Sequence, residues 1–275
     1  AELALVHDCL PERLGTSLAV RELRNRWLSR ASVHLAVSAD TAADVERLLR
    51  TPRRSVAWCH PAPAQLFAST VLEERAAHLW TELCNRAGLY QPYVLLPATS
   101  AIGSYKNPEV LAVALADSSL KGIHLVLCGI AADQRRLELE ARFPHLQGRC
   151  RAAGFTDLEL ALAYRQAIAV VVPSHAEGFG LPVVEALAAG ATVLIADSRG
   201  LREAGAGAAL RFASDRPRQL AALLQLLIGE DEHWLAPALA RRAGRRLASL
   251  HADLLGLTLL ALARTVQPSD KVGQC

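Results

Sequence analysis

Glu177 and Glu185 stand eight positions apart, and between them run Gly178-Phe179-Gly180-Leu181-Pro182-Val183-Val184. A carboxylate accepts hydrogen bonds from hydroxyl groups, so two of them near one turn suit a polyol. Glycine lets backbone approach a ligand closely and take up angles that a Cβ forbids. A helix starting at Pro182 aims its N-terminal amides and positive dipole end at an anion. An anion joined to a polyol describes a sugar nucleotide.

These residues need a scaffold to hold them. Ile168 to Val172 is apolar and β-branched, the pattern of a buried parallel strand, and Thr192 to Ala196 repeats it. Val183 to Ala189 has helical character, with Gly190 suited to the C-terminal cap. The order strand, glycine-rich turn, helix, strand is a βαβ unit, and its turn lies above the sheet.

The string from Pro173-Ser174 to Gly190 resembles the donor-site signature of retaining family 4 (group 1) glycosyltransferases of the GT-B fold. That signature has a Glu followed by Gly-Phe-Gly-Leu-Pro, with a second Glu eight positions after the first. The resemblance implies that Glu177 contacts the donor sugar and that Glu185 holds the ribose hydroxyls. It implies too that the stretch Gly178, Phe179, Gly180, Leu181 meets the diphosphate or sugar. On the residues alone, a turn-capping Glu177 and a solvated Glu185 stay open.

Two further places match the family. After the apolar run Tyr93 to Leu96 comes a loop ending Tyr105-Lys106-Asn107, where family members carry a basic residue against the donor diphosphate. Lys106 and Asn107 fit that context, although the Arg that many members place in this loop is absent. The turn Gly154-Phe155-Thr156-Asp157 resembles the one beside the nucleobase, which assigns Phe155 or Thr156 to the base. His7, at the end of the apolar run Leu3 to His7, resembles a histidine that reaches the donor sugar. A plain strand-end histidine is the competing reading.

The chain has 275 residues, 52% hydrophobic and 21% charged, enough for a substantial core and unlike a disordered or coiled-coil protein. A net charge of +3 gives no case for nucleic acid. Six cysteines are scattered without metal-ligand spacing, several within apolar runs, which points to free thiols in a reducing cytosol. No signal peptide is visible, and the longest apolar run, Leu254 to Ala263, has ten residues, which is short for a membrane span. Methionine is absent, from which the chain reads as lacking its own start.

Taken in order, residues 1–67 alternate strand and helix and resemble the closing part of the family's N-terminal, acceptor-side domain. The expected helices are 17–29, with Leu18, Val20, Leu23, Trp27 and Leu28 as its apolar set, and Ala42 to Leu49. The segment His60-Pro61-Ala62-Pro63 reads as a hinge. Residues 68–249 form the nucleotide-sugar domain, opening on a helix over 71–87, with Asp157 capping the helix that follows it. Residues 250–275 are the crossover helix and tail, at the end of a helical stretch from Ala236 to Val266. Arg241, Arg242, Arg245 and Arg246 in that stretch form a solvated face or one turned to anionic lipid.

The expectation is therefore an α/β protein of GT-B type, with two Rossmann-like parallel-sheet domains, the first partial. The resemblance implies a retaining hexosyl transfer from a nucleoside-diphosphate sugar to a saccharide or lipid-linked acceptor, as in bacterial polysaccharide assembly. It needs no metal and no further cofactor, and it belongs in the cytoplasm or at the inner face of the membrane. Peripheral membrane contact and self-association stay open as partners. The alternative is a non-catalytic homologue that binds nucleotide-sugar or a partner, and a GT-B-fold epimerase is a third reading.

Overall fold

The computed structural model describes residues 2–50, 56–68, 76–229 and 232–266. Ser55 of the expected third strand, residues 71–75 of the expected helix and the tail after 266 lie outside the described residues. The chain divides into two compact units, Ala1–Pro61 with Leu250–Cys275, and Ala62–Ser249. The division at Pro61 falls inside the proline-rich segment.

The first unit is built on strands β1 (Leu3–Val6), β2 (Val33–Ala36) and β3 (Val56–Trp58), all parallel in the order β1-β2-β3. Val6, Leu28, Ala36 and Val45 share its core. Ser38 caps the helix Ala39–Leu49 by accepting from the Thr41 N–H at 3.0 Å. Two buried acids on that helix, Asp40 and Asp44, are neutralised by Arg13, which lies 2.6 Å from Asp40 and also pairs with Asp44. The helix Leu18–Arg30 differs from the expected packing. Leu28 is its one buried residue, whereas Leu18, Leu23 and Trp27 are 68%, 66% and 51% exposed. A 3.6 period reveals a helix, but how much of the stripe meets a core depends on the neighbours.

The expected helical stretch from Ala236 to Val266 is two helices, Glu232–Ala248 and Ala252–Val266, separated at residues 249–251. The second packs on β1 and β2. By length and composition Leu235–Arg264 is apolar enough to cross a membrane, with a mean hydropathy of 1.4 in its best window. The two helices found there are 17 and 15 residues long, each shorter than the roughly 20 residues a span takes. The break and the arginines of its first half divide that stretch.

The second unit is a six-stranded parallel sheet: β4 (Tyr93–Leu96), β5 (His124–Cys128), β6 (Cys150–Ala153), β7 (Ala169–Val172), β8 (Val193–Ala196) and β9 (Leu210–Phe212). Every residue of β4, β7 and β8 is buried. Strands covered on both faces explain the continuous Val/Ile/Leu runs in the sequence. The strand order is β6-β5-β4-β7-β8-β9. The chain builds outward from β4 in one direction, then returns to β4 and builds in the other. The loops leaving β4 and β7 therefore part at their C-terminal ends and open a crevice, the usual ligand position in such sheets.

Candidate active site

The crevice between β4 and β7 is lined by Pro97 to Ser100 and Lys106 on one side and by Pro173, Ser174, Glu177, Gly180 and Pro182 on the other. Its two walls are tied together. The Lys106 Nζ donates to Glu177 Oε1 at 2.7 Å, with the side chains 22% and 13% exposed. The His175 N–H donates to the Tyr105 carbonyl at 2.8 Å. Asn107 is buried, in a left-handed conformation with φ 53°, and its amide donates to the carbonyls of Pro173 (3.3 Å) and Ser214 (2.8 Å). These bonds hold the Lys106 loop against the glycine-rich turn. The Asn107 side chain thus serves as a strut, and its neighbour Lys106 carries the charge.

The turn after β7 leads into the helix Leu181–Ala188, one residue earlier than expected, so Pro182 occupies its second position. Gly180 caps it at φ 116°, and a Cβ there would meet the Leu201 side chain at 2.8 Å. Gly190, just past the helix, has φ 82°, the left-handed conformation that ends helices. Phe179 is buried, and its ring lies 5.8 Å from the guanidinium of Arg246. Leu181 is 42% exposed at the helix start.

Glu185 lies one turn further along that helix, half-buried. No hydrogen bond or ion pair among the described residues reaches its carboxylate. Burial, helped by the charge of Asp157, raises its pKa above the usual 4.5. Glu185 in turn helps raise the Cys128 thiol at the end of β5, pushed by burial to about 12. A half-buried carboxylate with no protein partner keeps its full capacity to accept hydrogen bonds.

Thr156, and not Asp157, caps the helix Asp157–Gln166. The Thr156 N–H donates to Glu159 Oε2 at 2.8 Å and its Oγ1 accepts from the Glu159 N–H at 3.4 Å, a reciprocal capping box. Phe155, the other residue expected at the base, is half-buried. His7 is exposed and belongs to the first unit, whereas the cluster described here is built wholly from the second.

Three contributors were not singled out from the sequence. Thr99 is buried, and its Oγ1 has no hydrogen-bond partner although it lines the crevice. Gly200, at the start of the helix Arg199–Gly205, backs the glutamate turn so closely that a Cβ would lie 2.4 Å from the Glu177 carbonyl oxygen. Arg246 leaves the expected row of solvated arginines: it is buried, and donates to the carbonyls of Ala204 (2.9 Å) and Glu203 (2.8 Å). Those carbonyls close a helix C-terminus and need donors, which a long guanidinium supplies.

Gly200→Ala is expected to destabilise the second unit by about 1–3 kcal/mol, since the clash is with backbone that cannot swing aside. It should also displace Glu177. Thermal unfolding and nucleotide binding measured together check this, and an unchanged Tm with intact binding would contradict the packing role.

The model for the family "Glycosyl transferases group 1" matches residues 85–241, more than half of the chain. The D-inositol 3-phosphate glycosyltransferase of Frankia alni is 44% identical over 89 residues, covering 32% of this chain and 22% of that protein. The protein of the same name from Xylanimonas cellulosilytica is 32% identical over 176 residues, 61% of this chain and 42% of its own length. The matched chain thus spans less than half the length of these relatives. Among solved structures, Anabaena HepE in complex with UDP-glucose superposes with a TM-score of 0.76 at 17% identity, over 96% of this chain and 72% of that one. With the signature turn at the sheet reversal, and a family match that contains all of β4 to β9, this chain belongs to the group 1 glycosyltransferases and has the GT-B type of fold.

Proposed function

We propose that the protein transfers a hexosyl group, with retention, from a nucleoside-diphosphate sugar to a saccharide or lipid-linked acceptor. The observation that carries this is the Lys106–Glu177 pair in the crevice, together with a half-buried, unpartnered Glu185 one turn into the helix that follows. The pair holds a cation and an acceptor carboxylate ready for a ligand that is anionic at one end and hydroxylated at the other. On binding, Lys106 turns to the diphosphate and Glu177 to the sugar hydroxyls, so the ligand replaces the internal ion pair. Glu185 accepts from the ribose hydroxyls, and the turn at Phe155 lies along the base. The backbone at Gly178 and Gly180 passes close to the diphosphate.

As the glycosidic bond to phosphate breaks, negative charge grows on the leaving diphosphate. Lys106 and the N-terminal end of the helix Leu181–Ala188 stabilise it. The leaving phosphate oxygen takes the proton of the attacking acceptor hydroxyl on the same face. The chain then supplies no separate general base and calls on no metal. The described cysteines are free thiols, most of them buried, and suit a reducing cytoplasm.

Calorimetry with UDP, GDP, dTDP and ADP tests the binding half, with UDP-glucose as the first donor because HepE was solved with it. Transfer assays with D-inositol 3-phosphate, named for the curated relatives, and with saccharide and lipid-linked acceptors test the rest. The product anomer read by NMR tests retention. A folded chain that binds none of the four nucleotides would overturn the reading.

Thr99 adds a finer expectation. Its buried, unpartnered hydroxyl faces the crevice where the diphosphate is proposed to lie. Thr99→Val keeps the shape and removes the donor. Affinity for the sugar nucleotide should fall by about 0.5–1.5 kcal/mol, roughly two- to tenfold. Tm should hold or rise, since an unsatisfied buried hydroxyl is lost. Unchanged affinity would remove Thr99 from the site.

A further inference from the structure

A second cavity, of about 400 Å³, is lined by Ala206, Gly207, Arg242, Arg245, Arg246 and Ser249, and shares no lining residue with the crevice. Ala206 and Gly207 turn the chain at the end of the helix Arg199–Gly205, with φ of 40° and 80°. A helix C-terminus attracts cations, and that accounts for Arg246 on the carbonyls of Ala204 and Glu203. It accounts also for one nitrogen of Arg242, which donates to the Gly207 carbonyl at 3.2 Å. It does not account for Arg245, which is exposed and makes no hydrogen bond or ion pair among the described residues.

Three guanidinium groups thus line one cavity, and no carboxylate lines it with them. Arg246 is only 8% exposed. Burial lowers its pKa from the usual 12.5, with Glu203 offsetting part of the effect, so its charge is poorly solvated where it stands. Guanidinium forks match the oxygen geometry of phosphate and bind it in pairs of parallel hydrogen bonds.

We propose that this cavity is a binding site for a phosphate group, a phosphomonoester or phosphodiester held chiefly by Arg242 and Arg245, separate from the nucleotide crevice. Arg246 forms its buried positive floor. The source is either a free phosphorylated metabolite or a phospholipid headgroup, which carry the same chemistry.

The test is calorimetry with inorganic phosphate and glucose 6-phosphate at fixed ionic strength, using the full chain carrying Lys106→Ala so that the crevice does not compete. A parallel arm measures sedimentation with phosphatidylglycerol vesicles and with phosphatidylcholine vesicles. Saturable binding is expected in at least one arm, weakened tenfold or more by Arg242→Gln with Arg245→Gln. Arg241→Gln, on the same helix but outside the cavity, should leave it unchanged. Both replaced arginines are exposed, so unfolding temperature should not move. Binding of the soluble phosphates identifies a metabolite site, and binding of phosphatidylglycerol alone identifies a headgroup site. No saturable binding in either arm overturns the proposal, as does a loss with Arg241→Gln as large as with the pair.

Discussion

Lys106→Ala should lower kcat/KM for glycosyl transfer by about 10²–10³-fold, the range seen when one preorganised donor to a developing negative charge is removed. Among the described residues Lys106 is the one cation lining the crevice, and the loop from Pro97 to Tyr105 contains no Arg. Leaving-group charge would then rest on the helix N-terminus and on neutral donors. The fold should lose little: the ion pair is partly exposed, and such pairs contribute about 0–1 kcal/mol. Lys106→Arg retains charge and should recover part of the rate, with a cost for the different fork geometry.

The ion pair also gives the two partners opposite signs in a binding experiment. Glu177→Ala frees Lys106 from its 2.7 Å partner, so affinity for the bare nucleoside diphosphate should hold or rise, by at most about fivefold. Turnover should fall, because the sugar loses its acceptor. Lys106→Ala should lower nucleoside diphosphate affinity and turnover together. Steady-state kinetics beside calorimetry separates the two patterns. If both variants weakened the nucleotide alike, Glu177 would be holding the nucleotide and not the sugar.

The strand-turn-helix unit around Glu177 was legible because each part carries its own signal. Its strands are buried on both faces and read as apolar runs, and Gly180, Pro182 and Gly190 mark turn, helix start and helix end. The cap at Thr156 was within reach too, since Thr156 and Glu159 have capping-box spacing, but Asp157 is an equally good cap type one residue on. Arg246, Gly200 and Thr99 were not legible. Each takes its role from a segment distant in sequence: Arg246 from residues 203 and 204, Gly200 from the carbonyl of Glu177, Thr99 from the opposite wall of the crevice. A periodicity pattern places a residue on a face, whereas these roles depend on which backbone arrives against it. The exposed Leu18, Leu23 and Trp27 illustrate the same limit.

Glu185→Gln should weaken sugar-nucleotide binding and stabilise the unliganded protein at the same time. The amide still reaches the ribose hydroxyls but accepts without charge. Hydrogen bonds to a charged group contribute about 1.5–3 kcal/mol, so affinity should fall by about ten- to a hundredfold. The stability effect has the other sign. Burial raises the Glu185 pKa above 4.5, so the folded protein holds this proton more tightly than the unfolded chain does. Ionisation therefore costs folding free energy, a cost absent below the unfolded pKa and complete above the raised folded one. At pH 7 the Gln variant should unfold at a higher temperature than the parent, and the gap should close as pH falls below 4.5. Binding should follow the same group. Parent affinity for the sugar nucleotide, whose esterified diphosphate does not titrate there, should drop as pH falls through the raised pKa, while the Gln variant stays flat. Thermal unfolding and calorimetry across that window check both halves. A Gln variant that lost stability at pH 7 would mean that Glu185 has a structural partner and is not held open for a ligand.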